Sequence, residues 1–545
     1  MKIKNFSINL EYIFLIFFIA IFLWYGSGNL FGHAIKHDFP YGYFASDAFL
    51  HQSTAEGVKY QGNFKYHPYY RAGGYTDVIA FNPPLFNHLS ALLSYSSGIE
   101  TYDTMYFLVF VSLLFSLMIF YLIIRRYNKN IAILSLPVAL LIFTNKFYAG
   151  ILFGQWDFYS GILFFIASIL CIMHINEKRV YLLLGVFLAA AFLAHPPEAI
   201  WALGFIIFYF ISEFIFKRFN FNEFKETIKA GLISFLLSIY YLPIFVLMWI
   251  PTRTSSFGIM RLPTFEERGY PIVTVNDFGW LLWLVIAGVL ISFFILRKKN
   301  DSSLKLSIYC LIAGFTAYLG FDKALQLRFL WPLLMMSLFG LTLYYLLKSV
   351  KQAKTIFSII IAIILSFSIT GLSYKKIDSP GIMDPYHWEQ LMWIKDNTPK
   401  DSKIYYFYSD AYNQKSILYN GQRVSWIVVT DDFVKALNNK TIKSVYHSDL
   451  ISDDTISNFA YRKSFFSFGY HFKEMDPSFI NGPRNICSMD YYVFEIMPQA
   501  SRMPALIQYN LAIREVMLKK GFIKEVFNNQ ITSILKNEKP GEPCV

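Results

Sequence analysis

The chain has 545 residues, of which 55% are hydrophobic and only 16% charged, with 56 Phe. That balance lies outside the range of soluble globular domains and points to a polytopic membrane protein. The formal net charge of +12 does not signal nucleic acid, because Lys and Arg fall in short clusters between apolar runs, with no basic arm or recognition motif.

A membrane-spanning helix needs about 20 mostly apolar residues. About eleven segments meet that need, near 10–31, 104–124, 131–148, 154–174, 180–197, 199–216, 230–250, 278–296, 304–320, 329–347 and 355–373. Pro243 and Pro332 are candidate helix breaks, and the 180–216 stretch admits more than one division. The first segment follows Lys2 and Lys4 as a signal peptide would. Its core is long, however, and Trp24-Tyr25-Gly26-Ser27 offers no convincing small-x-small cleavage site, so it is read as a retained span.

Cytoplasmic connections should be rich in Lys and Arg. Counting from Lys2 and Lys4, alternate connections carry Arg125, Arg126 and Lys129, then Lys178 and Arg179, then Lys217, Arg218, Lys225 and Lys229. The same register continues through Arg297, Lys298 and Lys299 to Lys348, Lys351 and Lys354. The opposite connections collect Asp47, His51, Asp77, Asp157, His195, Glu198, Arg253, Arg261, Asp322 and Arg328. Polar chemistry is therefore expected on the outer face, with a cytoplasmic N-terminus.

After residue 375 the composition turns mixed polar and aromatic, which predicts a membrane domain over 1–375, with a long outer loop 32–103, and a soluble extracytoplasmic α/β domain over 376–545. His387 to Lys395 has helical spacing of apolar residues and is stopped by Asn397-Thr398-Pro399. Lys403-Ile404-Tyr405-Tyr406-Phe407-Tyr408 then reads as a strand. Cys171 and Cys310 lie in spans as small apolar residues. Cys487 and Cys544 share the outer domain, where a disulfide stapling the tail and two free thiols both fit the sequence.

The loop 32–103 is far longer than a simple helix connection. In Ser46-Asp47-Ala48-Phe49-Leu50-His51, Asp47 has the chemistry of a general base for an acceptor hydroxyl. His51, four residues on, shares its helix face. The structural alternative is that Asp47 solvates or caps a short surface helix, with Ser46 a second cap candidate. Asn82-Pro83-Pro84 opens a second short helix with Leu85, Leu89, Leu92 and Leu93 on one side. That pattern fits either an interfacial helix or an ordinary packed helix. Phe153-Gly154-Gln155-Trp156-Asp157 puts an amide and a carboxylate at the outer end of the fourth span, where the helix dipole alone favours an acid. His195-Pro196-Pro197-Glu198 is a similar polar break. Neither His51 nor His195 has metal-motif spacing, so support for a divalent metal is weak and no ligand set is assigned. Arg253, Arg261, Arg268 and Arg328 occupy outer positions where arginine is depleted. They suit bidentate binding of a lipid phosphate, or nonspecific anchoring at headgroups.

Together these motifs resemble the GT-C superfamily of polytopic glycosyltransferases, over most of the chain in architecture and at a few short motifs in residues. The family's acidic residue in the first outer loop matches Asp47. Its Tyr-Pro-Pro-Leu-like loop end matches Asn82-Pro83-Pro84-Leu85, with Asn where Tyr is common. Gly154-Gln155-Trp156-Asp157 looks like the Gly-Gln-x-Asp of several members, and Trp393 to Pro399 is similar to the segment that opens their outer domains. The Trp-Trp-Asp signature of oligosaccharyltransferases is missing, which favours transfer of one sugar over en bloc transfer.

The resemblance implies inverting transfer from a polyprenyl-phosphate sugar to a hydroxyl on a glycan, lipid or protein, at the outer face of a plasma membrane. Asp47 would be the base, while Arg328 and Arg261 hold phosphate and His51, Gln155, Asp157 and His195 line the substrate pocket. The alternatives are a lipid or solute transporter or flippase, against which stand the lack of internal repeats and the outer placement of ionisable groups, and a non-catalytic scaffold.

Overall fold

The computed structural model describes residues 10–30, 37–72, 78–144, 148–215, 217–250, 279–298, 332–347, 354–373, 377, 379–408, 412, 415–427, 459–462, 471–474, 486–497 and 504–544. Its helices in chain order begin with α1 (Leu10–Leu30), α2 (Ser46–Gln61), α3 (Leu85–Ser97), α4 (Thr101–Tyr127) and α5 (Lys129–Ser135), the last continued by a 3-10 turn over Leu136–Phe143. Next come α6 (Ala149–Leu152), α7 (Trp156–Met173), α8 (Val180–Ala194), α9 (Pro196–Ile215), α10 (Phe221–Ser238) and α11 (Tyr241–Ile244). Then follow α12 (Leu281–Lys298), α13 (Pro332–Leu346), α14 (Lys354–Ser373), α15 (Pro385–Asn397), α16 (Lys415–Leu418) and α17 (Pro504–Leu518).

Four described helices are long and apolar enough to cross a membrane: Leu10–Ser27 within α1, then α4, α7 and α9. A fifth candidate is the pair α10 and Tyr241–Leu247, bent by 77°. Shorter apolar helices occupy the expected segments at Lys129–Phe143, Val180–Ala194, Leu281–Ser292, Met335–Leu346 and Thr355–Ile369. The expected span 304–320 lies outside the described residues. Pro332 is the first described residue of α13, and the residues before it lie outside the described ones. Pro243 lies within α11, close to the bend.

The chain divides into two compact units. One groups Met1–Ile35, Met105–Tyr241 and Met260–Asp378; the other groups Lys36–Thr104, Leu242–Ile259 and Ser379–Val545. The long loop, counted with the membrane part from sequence, thus belongs by its contacts with the C-terminal segment.

Within the first unit, the buried Glu11 carboxylate on α1 accepts hydrogen bonds from Arg125 and from the Tyr121 hydroxyl on α4, the latter at 2.7 Å. Carboxylates in such apolar surroundings persist only when paired in this way.

The second unit contains a mixed five-stranded sheet in the order β2-β1-β5-β7-β6, built from β1 (Lys403–Phe407), β2 (Val424–Ile427), β5 (Tyr491–Glu495), β6 (Ile523–Asn528) and β7 (Thr532–Asn537). β3 (Phe459–Arg462) and β4 (His471–Glu474) form a separate antiparallel pair. β1 runs parallel to β2 and β5, whereas β7 is antiparallel to β5 and β6. The run of buried aromatics in β1 suits its interior place between β2 and β5. Tyr405 and Phe407 bury on one side with Tyr492, Phe494, Met517 and Leu535, and the Phe407 and Phe494 rings stack at 4.4 Å.

Cys487 and Cys544 form a disulfide that closes the tail onto this core. Removing such a link typically costs about 2–4 kcal/mol. Cys487→Ser is therefore expected to lower the protection of β5 and β7 amides by that amount, measured by hydrogen exchange on the full chain with and without reductant.

Candidate active site

Asp47 owes its position to the turn that precedes it. The Gly42 N–H donates to the Pro380 carbonyl and the Ile382 N–H to the Tyr43 carbonyl, each at 2.8 Å, so residues 42–43 pair with 380–382 as a short parallel bridge. Gly381 has φ +83°, and a Cβ there would fall inside contact distance of the Tyr43 backbone. Only glycine meets both demands. The fully buried Tyr43 donates its hydroxyl to the Tyr102 carbonyl at 2.9 Å and meets the Phe49 ring edge-on at 5.1 Å. Ala48 and Phe49 bury the inner side of α2, leaving Asp47 exposed in its first turn. The positive end of the helix favours a carboxylate at that point. The N-cap is Ala45, in extended conformation and without a side-chain cap, so Ser46 is not the cap. The structure corrects that expectation because the helix starts one residue earlier than a Ser46 cap requires.

His51 reaches from α2 to α3, where its Nδ1 lies 3.2 Å from Asn87 Oδ1 and its ring meets Phe86 edge-on. The two ends of the loop's motif region are thereby joined. α3 starts at Leu85 with Pro84 as N-cap, and buries Phe86, Asn87, Ser90, Ala91 and Ser94. Ser90 and Thr104 hydroxyls meet at 2.7 Å, and Lys59 donates to Ser94 at 3.0 Å. The leucine side points the other way: Leu92 is exposed, and Leu85, Leu89 and Leu93 are half-buried.

In the first unit, Gln155 is the N-cap of α7 without a side-chain cap bond, and the buried Trp156 anchors the turn by donating Nε1–H to the Ile151 carbonyl at 2.7 Å. Asp157 is half-buried, with Oδ1 accepting from the Phe158 N–H at 2.9 Å. At the junction of α8 and α9, His195 Nδ1 contacts Glu198 Oε2. This pair packs against α7, since Phe158 meets the His195 ring edge-on and Gly161 lies against both side chains, where a Cβ would come to 3.0 Å from His195 and 3.1 Å from Glu198. The 195–198 motif is therefore packed on α7 at Phe158 and Gly161, directly after the 154–157 motif.

Asp47 and His51 belong to one compact unit, and Gln155, Asp157 and His195 to the other. Arg261 and Arg328 lie outside the described residues, as do Asp77, Arg253, Arg268 and Asp322. Glu198, which orients His195, and Asn87, which holds His51, were not chosen from sequence as site residues. A His followed three positions later by Glu at a helix start was a usable signal for the first. Nothing local marked the second. Among the described residues, no three His, Cys, Asp or Glu side chains converge to hold a metal ion.

No protein-family model matches the chain, and no curated protein matches its sequence. Its fold does match solved structures. It is similar to the Archaeoglobus fulgidus oligosaccharyltransferase AglB in complex with an inhibitory peptide and a dolichol-phosphate, with TM-score 0.51, 12% identity, and coverage of 99% of this chain and 75% of that one. It is similar to ArnT from Cupriavidus metallidurans bound to undecaprenyl phosphate, with TM-score 0.51, 9% identity, and coverage of 97% and 98%. It is also similar to the mycobacterial arabinofuranosyltransferase AftD, with TM-score 0.54, 11% identity, and coverage of 97% of this chain but 42% of that one. At these identities the likeness is one of fold: the chain has the GT-C-like architecture of apolar helices with a C-terminal mixed sheet.

Two outcomes follow from the site's scaffold. Gly381→Val is expected to break the bridge to Tyr43 and cost about 1–3 kcal/mol, measured as faster exchange at the Gly42 and Ile382 amides with unchanged protection in β1. The Asp384 carboxyl provides the second. Burial alone would raise its pKa, but hydrogen bonds from His387 and Tyr412 hold it down at about 2. The unfolded value is about 3.9, so its contribution to stability is complete above that pH and lost as pH falls toward 2. Acid should therefore loosen the start of α15 between about pH 4 and 2, an acid transition that exchange measurements on Asp384→Asn should lack.

Proposed function

We propose that the chain is an inverting membrane glycosyltransferase that moves a single sugar from a polyprenyl-phosphate donor to an acceptor hydroxyl, with Asp47 as general base. The observation that carries this reading is the exposed Asp47 carboxylate on a first turn rigidly held from beneath by Tyr43 and Phe49. Shared fold with proteins whose structures hold dolichol-phosphate and undecaprenyl phosphate supports a lipid-phosphate donor. The outward leucine side of α3 suits the bilayer surface where such a donor lies. The Cys487–Cys544 disulfide suits an oxidising, extracytoplasmic compartment. That agrees with the alternation of basic connections.

In the proposed step Asp47 takes the acceptor's hydroxyl proton as that oxygen attacks the anomeric carbon. The bond from that carbon to the phosphate oxygen breaks, and its electron pair leaves on polyprenyl phosphate. A phosphate leaving group needs no proton, so one carboxylate suffices where glycosidases use two. Arg328 and Arg261 are assigned to the phosphate, where their forked donors stabilise the departing charge. Gln155, Asp157 and His195, the last oriented by Glu198, are assigned to the sugar or acceptor.

Thin-layer analysis of radiolabelled polyprenyl-phosphate sugars incubated with purified protein tests the reading. A new glycosylated product supports transfer; movement of lipid or sugar across vesicles without chemistry would replace it with transport. Asp47→Asn is expected to lose at least 10²–10⁴-fold, the usual contribution of a general base, with folding and membrane insertion intact. Full activity in that variant would remove Asp47 from the mechanism.

A further inference from the structure

The start of α15 carries more bonding than a helix cap requires. Asp384 Oδ1 accepts from the Tyr386 and His387 N–H groups, each at 2.9 Å, which alone completes an N-cap. Its second oxygen, Oδ2, takes two further donors, His387 Nδ1 at 2.7 Å and the Tyr412 hydroxyl. His387 is almost fully buried, and its ring lies flat on Tyr412 with centroids 3.6 Å apart and planes 4° from parallel. Tyr408 meets it edge-on at 5.3 Å, and Nε2 is 4.0 Å from the buried Glu495 carboxylate at the end of β5. A histidine is thus held between two carboxylates and two tyrosines, locking the first turn of α15 to the sheet.

That turn is also what holds Tyr43. Asp384 lies three residues after Gly381, whose neighbours make the two backbone bonds to Gly42 and Tyr43. On the other side Trp388, adjacent to His387, packs edge-on against Tyr102 at 5.8 Å, and the Tyr102 carbonyl accepts the Tyr43 hydroxyl. Tyr43 precedes Asp47 by four residues. The first turn of α15 therefore grips the approach to α2 from both sides.

We propose that His387, acting through its bond to Asp384, is a positioning residue for Asp47. Its role rests on the reading of Asp47 as the base. His387 touches no reacting atom; it keeps the 380–384 segment in the one conformation that pairs with the turn before α2. Small misplacement of a catalytic group costs about 10²-fold in rate, so a loosened grip should appear in kcat with KM unchanged.

Two substitutions separate this role from simple packing. His387→Phe keeps the ring stacked on Tyr412 but removes the donor to Asp384, whereas the His387→Asn side chain places an amide N–H near the Nδ1 position and restores that donor. In the full-length protein in lipid nanodiscs, His387→Phe is expected to speed exchange of the Gly42 and Ile382 amides by about tenfold or more. It should also lower kcat by about 10²-fold at unchanged KM, with the donor that wild type consumes. His387→Asn should return both close to wild type. Amides in β1 and β5 report folding. If His387→Phe loses that sheet, Tyr412→Phe, which deletes a hydroxyl donor to Asp384 and keeps the ring, becomes the deciding variant, with the same direction of change expected. Wild-type exchange at Gly42 and Ile382 in the folded variant overturns the positioning role. Faster exchange there, together with full transfer by Asp47→Asn, instead supports the mechanical link and overturns only the assignment of the base.

Discussion

Two backbone hydrogen bonds, from Gly42 to Pro380 and from Ile382 to Tyr43, are the constraint on which the candidate site depends. They join segments more than three hundred residues apart, and they do so through main-chain groups whose positions side-chain motion cannot relax. Once they form, Tyr43 is committed to the Tyr102 carbonyl, Phe49 packs on Tyr43, and α2 has a single way to start. Asp47 is exposed, but the turn and helix beneath it are buried. A carboxylate proposed to meet a substrate proton within hydrogen-bond reach benefits from that combination of exposed side chain and fixed base.

The same division of labour governs the polar groups of the membrane unit. Glu11 is paired with Arg125 and Tyr121, and Glu198 with His195. Each pairing offsets the cost of a charge in low-dielectric surroundings. The first joins α1 to α4 and is structural. The second orients an imidazole that remains partly accessible and lies against α7 beside Asp157, so burial of one partner serves presentation of the other. Gly161 makes the arrangement sterically feasible, because any side chain there would press on both members.

Much of this was legible along the chain. Apolar runs marked most of the described helices of the first unit, because a long apolar helix writes its length into consecutive residues, although only four are long enough to cross a membrane by themselves. The helix after residue 384 and the strand from 403 were visible for a similar reason, in periodicity over a few turns. The internal arrangement of α3 was not. Its leucines were apparent, yet it is the side with Asn87, Ser90 and Ser94 that faces inward. Phe86 and Ala91 pack with those polar groups, and no one-dimensional pattern says which of the two sides meets the rest of the unit. Ser46, a cap candidate in the structural alternative, is not the N-cap for a local reason, since one residue of helix register decides which residue precedes the first turn.

The sequence by itself determined that the chain is built from apolar helices with a polar, aromatic C-terminal domain, and it singled out Asp47, Asp157 and His195, because hydropathy, charge alternation and short motifs are properties of neighbours along the chain. Only the tertiary structure decided that the loop bearing Asp47 folds with the C-terminal domain and that Asn87 holds His51. It alone showed that His387 sits between Asp384 and Glu495. Apart from the neighbouring Asp384 and His387, those relations rest on contacts between residues distant in sequence. Such contacts leave no periodic trace, since any of many polar residues could have supplied the same donor, and only the closed fold says which one does.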